Sequence, residues 1–359
     1  IDSATGQVTF TPTDKSYTGA VTPAKVQAES SNGIKVDTTY TPEIVPVTPT
    51  ATPAETTDIQ GATQKGKPEF KGGTVTVDGV EKTVEINEAV PATFDDGSTT
   101  KTVNGVGTYT VAADGTVTFV PEPSFTGTAP AVTVVREDMN GTKASATYTP
   151  TVTPITVTPT DKVSADIQNV PQTQTPTFDL SNDKTAEITS KKLVDPATGQ
   201  PTDETTVIVA GEGSYTIDPT TGAVTFTPEK DFVGTAKGVT VQATATITNA
   251  NGKTATITSD ATYTPTVVAA VPTAQPATSK DIQGATQTGT PTFAGTTVQV
   301  NGEDKAITIK DNSYTLLDND GNEVTSTPAY AADGTTEIGT YSIDSATGQV
   351  TFTPTDKSY

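Results

Sequence analysis

Apolar and polar residues alternate in short bursts along this chain. In residues 223–228, AVTFTP, Val224 and Phe226 alternate with Thr225 and Thr227, the period of two that turns one side of a pleated strand to a core and the other to water. The preceding SYTI (214–217) alternates in the same way, and the DPTTG between them ends on Gly222, which has no Cβ to oppose the positive φ that closes a hairpin. The same strand, turn, strand phrase begins at Gly107 and Gly339, with Gly115 and Gly348 in the turns, and the first residues of the chain repeat its latter half around Gly6. Asn-Gly at Asn32, Asn140 and Asn251 marks a second hairpin, and this dipeptide suits a two-residue type I′ turn. Short strands with turn signals every ~8–12 residues predict an all-β chain of tandem immunoglobulin-like sandwiches.

Repetition sets the module boundaries. The seventeen residues IDSATGQVTFTPTDKSY open the chain at Ile1 and recur at Ile343, 342 residues on. DIQ starts a module at Asp58, Asp166 and Asp281, and TYTP ends one at Pro42, Pro150 and Pro265. Tracts rich in Pro, Thr and Val follow each end and read as linkers. The expected organisation is therefore the C-terminal part of a module at 1–42, a linker at 43–57, a complete module at 58–150, a linker at 151–165, a complete module at 166–265, a linker at 266–280, and at 281–359 a module truncated before its last strands. Each module has about 100 residues, and the echo is the seam of a three-module super-repeat. Strand phrases are weakest in 166–212, so that module is expected to be the loosest.

Composition sharpens this picture. Leu, Ile, Val and Phe total 68 residues, only four of them Leu, and this share of about 19% is a level at which disorder becomes the default. The net charge of −21 is spread over 359 residues, and the apolar residues are concentrated in the alternating runs, which favours thin cores over a random coil. A sequence pI near 4.2 excludes nucleic acid as a main partner, since phosphates need clustered Lys and Arg. No run of 18 apolar residues spans a membrane. The start at Ile1, without a basic or apolar leader, reads as a window cut from a longer chain. With no cysteine there are neither disulfides nor thiolate metal sites.

In order along each module, G-[TS]-Y-[TS]-[IV], G-x-V-T-F-x-P, F-x-G-T-A, V-T-V, N-G and A-T-Y-T-P follow a start of DIQ and Q-x-G-x-P-x-F. Together these phrases resemble the CshA-type fibril repeat of streptococcal and related Gram-positive surface adhesins. Gln287, Gly289, Pro291 and Phe293 carry the start motif in the last module, whereas the module at 166 departs from it with QNVPQTQTPTF where Gly is expected. The resemblance implies a stalk or fibril segment, extracellular at the bacterial cell surface and anchored to the cell wall through a region outside this chain. It implies no catalytic residue and no cofactor, and it leaves the host ligand to be bound outside this segment. The expected partners are neighbouring repeats of the same chain. The alternative is that the repeats themselves bind host glycoproteins or identical fibrils on another cell.

Candidate chemistry adds little. General acid-base and triad catalysis usually relies on His or Cys poised by a partner, and the chain has neither. Its acids fall mainly in turns and linkers, without a pair that recurs between modules. Asp318, Asp320 and Asn322 alternate like calcium ligands, but an EF-hand loop would need Gly sixth and Glu twelfth, where Glu323 and Ala329 stand. A hairpin turn is the favoured reading there. The aromatic residues Phe10, Phe119, Phe226 and Phe352, with Tyr40, Tyr148 and Tyr263, recur in the middle of alternating strands and read as core anchors rather than as a ligand platform. A covalent Lys–Asn or Lys–Asp crosslink would need a buried Lys beside an acid.

Overall fold

The computed structural model describes residues 1–355 and 357–358; Asp356 and Tyr359, in the second copy of the seventeen-residue phrase, lie outside the described residues. The described residues form strands and turns without a helix. They fall into two compact units. The first comprises residues 1–158, 178–190 and 243–259, and the second comprises residues 159–177, 191–242 and 260–359.

The first unit contains a sandwich. One sheet orders Thr93–Phe94, Val132–Glu137, Lys143–Thr153 and Gly127–Thr128, and Ala54–Ile59 also pairs with Lys143–Thr153. The facing sheet orders Thr100–Val103, Gly107–Val111, Val117–Pro121 and Gln64–Gly66. The alternation seen in the sequence selects the side chains between them: Phe94, Tyr109, Val117, Phe119, Val134 and Tyr148 form one buried cluster. Tyr109 stacks on Phe119 with ring centroids 4.6 Å apart. Gly66 makes room for this packing, because a Cβ there would fall 2.1 Å from the Tyr148 ring.

The second unit repeats the pattern with Gln172–Gln174, Val224–Pro228, Gly213–Ile217 and Thr206–Val209 in one sheet. Its buried residues include Leu193, Tyr215, Val224, Phe226, Val241 and Tyr263, and the Tyr215 and Phe226 centroids lie 4.8 Å apart. Residues 166–212, expected to be weak, carry ordinary strands, and Leu193 and Val207 are buried there. Gln174 replaces the motif glycine without disturbing the pairing, since it faces Val224 as Gly66 faces Val117. Beyond these strands, Gln287–Gly289, Val350–Pro354, Glu337–Ile343 and Ser326–Tyr330 form a further sheet in that order.

Three sequence expectations need correction. The tracts 43–57, 151–165 and 266–280 are not free linkers: they hold the strands Thr50–Thr52, Ala54–Ile59, Lys162–Ile167 and Thr273–Gln275, along with the ends of Lys143–Thr153 and Thr254–Val268. Thr and Val suit the pleat, and Pro53 falls between two strands, where no ladder N–H is needed.

The Asn140 and Asn251 turns are not type I′. They are three-residue loops in which Gly141 and Gly252 take positive φ while the asparagines do not, and the flanking bonds run from Asp138 N–H to Thr142 O and from Asn249 N–H to Lys253 O, each 3.0 Å. The Asn32 turn matches them, with Gly33 at φ +83. Two-residue turns with both central residues at positive φ occur instead at Asp78-Gly79 and Asn301-Gly302.

Finally, Phe10 and Tyr40 are not core anchors, being 39% and 37% exposed. Residues 1–44 pair Ala24–Glu29 with Lys35–Tyr40 and Gly19–Ala20 with Glu43–Ile44, and among the described residues of this stretch no second sheet covers the two rings. The anchors should therefore differ in energy. Phe119→Ala is expected to lower the stability of its repeat by about 3–5 kcal/mol in urea unfolding followed by circular dichroism, while Phe10→Ala changes it by about 0.5 kcal/mol or less.

Candidate functional site

In each complete repeat the first strand lies parallel on the last. Ala54–Ile59 pairs with Lys143–Thr153 in a register running from Ala54 opposite Tyr148 to Ile59 opposite Thr153. Lys162–Ile167 pairs with Thr254–Val268 from Lys162 opposite Tyr263 to Ile167 opposite Val268. Hairpins can only make antiparallel neighbours, so this contact is brought together by the whole fold. Pro150 and Pro265 lie within the last strands and have no N–H to offer. Their carbonyls accept the N–H of Ala129 at 2.9 Å and of Ala236 at 3.0 Å.

A buried polar chain fastens the two strands. The Tyr148 hydroxyl is 2.7 Å from Thr56 Oγ1, Thr56 donates to Gln64 Oε1 at 2.6 Å, and Gln64 Nε2 donates to the Thr151 carbonyl at 2.9 Å. Thr56 has one proton and gives it to Gln64, so Tyr148 is the donor to Thr56. The third repeat copies the arrangement: Tyr263 lies 2.7 Å from Ser164 Oγ, Ser164 donates to Gln172 Oε1, and Gln172 Nε2 donates to the Thr266 carbonyl at 2.9 Å. Gln64 and Gln172 are both buried. In the last repeat Ser279 donates to Gln287 at 2.8 Å, and no tyrosine completes the chain among the described residues.

Burial pushes the Tyr148 and Tyr263 hydroxyls above the usual phenol range, offset in part by their hydrogen bonds with Thr56 and Ser164. Burial raises Tyr109 and Tyr215 further. Each therefore stays neutral at physiological pH. The chain's one arginine, Arg136, is buried with its guanidinium 2.9 Å from Glu88, and this hydrogen bond and charge hold the Glu88 carboxyl below its usual range.

The aromatic candidates divide accordingly. Phe119, Phe226, Tyr148 and Tyr263 are fully buried, Phe352 is half-buried with its centroid 5.5 Å from that of Tyr341, and Phe10 and Tyr40 are exposed. Gly115, Gly222 and Gly348 sit at hairpin turns with φ of +88, +80 and +73, and Gly6, at φ +75, sits in a turn that no strand flanks. Asp318 Oδ1 accepts the N–H groups of Asp320 at 2.9 Å and Asn322 at 2.8 Å, and Asn322 Nδ2 reaches Asp318 Oδ2 at 3.1 Å. Its oxygens thus serve the turn between Leu316–Leu317 and Glu323–Val324. Among the described residues no group of three or more His, Cys, Asp or Glu converges as metal ligands would. Among them, too, no lysine is buried, so the setting a crosslink requires is missing there.

Sequence reasoning noticed Gln64, Gln172 and Gln287 as part of a recurring start motif but gave them no role. Thr56, Ser164 and Ser279 each precede that glutamine by eight residues. This fixed spacing is the signal that could have identified them.

Solved structures similar to the chain are tandem arrays of small β domains. They include the titin domains Z1Z2 in complex with telethonin, at 12% identity over 62% of this chain and 96% of that one with a TM-score of 0.29. Protocadherin gamma C5, extracellular cadherin domains 1–3, is 13% identical over 69% of this chain and 77% of that one with a TM-score of 0.30. No curated protein matches the chain. The family model described as the surface adhesin CshA repetitive domain matches residues 1–44, 46–152, 154–267 and 269–359.

The buried tyrosines predict an alkaline limit. A phenol raised in the folded state keeps its proton after the unfolded one has lost it, so the stability it contributes is complete below about pH 10 and is lost as pH rises through the folded value. Thermal midpoints should therefore hold from neutral pH to about pH 9 and fall above about pH 10. A midpoint unchanged at still higher pH would contradict the assignment.

Proposed function

The chain belongs to the family of surface adhesin CshA repetitive domains, and on that premise we propose that it is a stalk segment of a bacterial surface adhesin, projecting an adhesive region away from the cell wall. Membership implies an extracellular surface protein. The proposal adds cell-wall anchoring and assigns the segment a mechanical task with no catalytic step.

The observation that carries this reading is the parallel pairing of first and last strands. In a parallel pair, the start of the first strand and the end of the last strand lie at opposite ends. Tension on the two ends of a repeat pulls these strands lengthwise past one another. The six register pairs from Ala54–Tyr148 to Ile59–Thr153 then resist together instead of opening in sequence. The Tyr148–Thr56–Gln64 chain lies across the same contact and opposes the same slip. An antiparallel hairpin pulled at its two free ends would peel one pair at a time.

A stalk needs length and endurance and no ligand of its own. Light scattering over a concentration series should show a monomer, and pull-downs with host matrix proteins should recover none of them. Concentration-dependent dimerisation, or saturable capture of a matrix protein, would move the adhesive function into the repeats and overturn the reading.

A further inference from the structure

The second repeat ends in a surface that is filled by the tip of the third, and every residue of this contact lies in the first compact unit. Gln60 is its pivot: Nε2 donates to the Pro123 carbonyl at 2.7 Å, and Oε1 accepts the Ile155 N–H at 3.2 Å. The Gln60 carbonyl in turn accepts the hydroxyl of Thr185, from the third repeat, at 2.7 Å. Gly61, at φ +81, comes so near that a Cβ there would sit 3.1 Å from Ile247 Cγ2 and 3.2 Å from the Thr248 carbonyl. Ile155, Ala186 and Ile247 form a buried cluster beneath. At the rim Lys253 pairs with Glu122 at 2.6 Å.

Asn249 ties this contact together. Its Oδ1 accepts the N–H groups of Asn251 at 3.0 Å and Lys253 at 3.1 Å, which closes its own hairpin. Its Nδ2 donates across to the Pro121 carbonyl of the second repeat at 2.8 Å. The same hairpin of the second repeat is closed by Asp138, whose Oδ1 accepts from Asn140 at 2.8 Å and Thr142 at 2.9 Å. The other oxygen, Asp138 Oδ2, is buried without a hydrogen-bond partner. A carboxylate can close the turn but cannot donate, whereas an amide does both. In the first repeat Ser30 holds this position, with its N–H bonded to the Ile34 carbonyl at 2.9 Å.

We propose that the second and third repeats are latched to each other, with the Gln60–Gly61 turn and the Pro121 and Pro123 carbonyls as the socket and Asn249 as the key. The residue at this hairpin position, asparagine, aspartate or serine, then sets which joints along the chain are latched and which pivot. The partner of the socket is the next repeat of the same chain. The inference deepens the stalk reading, on which its purpose rests, while its geometry stands apart from it.

The chain has no cysteine, so Thr110→Cys in the second repeat and Thr256→Cys in the tip of the third, both at exposed strand positions within the first compact unit, place one spin label on each side of the contact. Pulsed electron paramagnetic resonance on the full chain should give one narrow distance distribution. Asn249→Asp keeps the turn acceptor and removes the donor, and should lower the ratio of latched to unlatched forms about tenfold, equivalent to about 1.4 kcal/mol. The distribution then broadens. Lys253→Ala, which removes the rim ion pair, should broaden it to a smaller extent.

Thermal unfolding of both variants should match the parent, since Asp138 shows that the turn accepts a carboxylate. If Asn249→Asp proves unstable, Lys253→Ala decides. A parent distribution as broad as that of the variants, or variants as narrow as the parent, would overturn the latch. Host-protein capture by the same fragment would overturn the stalk reading and leave these distances as they are.

Discussion

The contact on which each complete repeat depends is the parallel seam between its first and last strands. Several other pairings join neighbours in sequence, as Gly107–Val111 does with Thr100–Val103 and Val117–Pro121, and the remaining ones, such as Gln64–Gly66 on Val117–Phe119 and Thr93–Phe94 on Val134–Val135, span shorter separations. The seam joins residues more than 90 positions apart, as the Thr56–Tyr148 bond does, and is formed only when both sheets are in place. It closes the fold and, in the proposed stalk role, carries force from one repeat to the next.

The polar chain across the seam explains how thin cores suffice. A repeat with few Leu and Ile residues buries little apolar surface, and its margin of stability is correspondingly small. Buried hydrogen bonds that are fully satisfied add specificity as well as energy. Tyr148 buries its ring beside Phe119 and Val134, while its hydroxyl fixes the register of the outer strand. A one-residue slip of Ala54–Ile59 would turn Thr56 away from both Tyr148 and Gln64, so the chain of donors specifies the register that so polar a strand, AETTDI, leaves weakly defined.

Much of this was legible in the sequence. Val224 and Phe226 alternating with Thr, and Gly222 after DPTT, were enough for the hairpin and for the inward side of its strands. What stayed hidden depended on long-range contacts. The tracts 43–57 and 151–165 read as linkers because Pro and Thr also make extended connections, and only pairing with a distant strand distinguishes the two. Tyr148 was visible as a core ring, but its hydroxyl partner lies far away in the chain. Phe10 and Tyr40 carry the same local signal as Phe119 and Tyr148, yet burial needs a facing sheet that residues 1–44 do not contain. Asn140 and Asn251 suggested a type I′ turn by dipeptide alone, whereas Asp138 and Asn249, each two residues earlier, dictate a longer loop by accepting the turn's N–H groups.

Force applied in two directions to the second repeat tests the seam most directly. In single-molecule pulling, attachment at the two ends of the repeat loads the seam in shear. Attachment at the N-terminal end and at Ser145→Cys, just before Tyr148 on the last strand, peels it from the Ala54 side. The shear geometry should unfold at a severalfold higher force than the peeling geometry, and Tyr148→Phe should lower the first force more than the second. Equal forces in the two directions would contradict the tension-bearing role of the paired terminal strands.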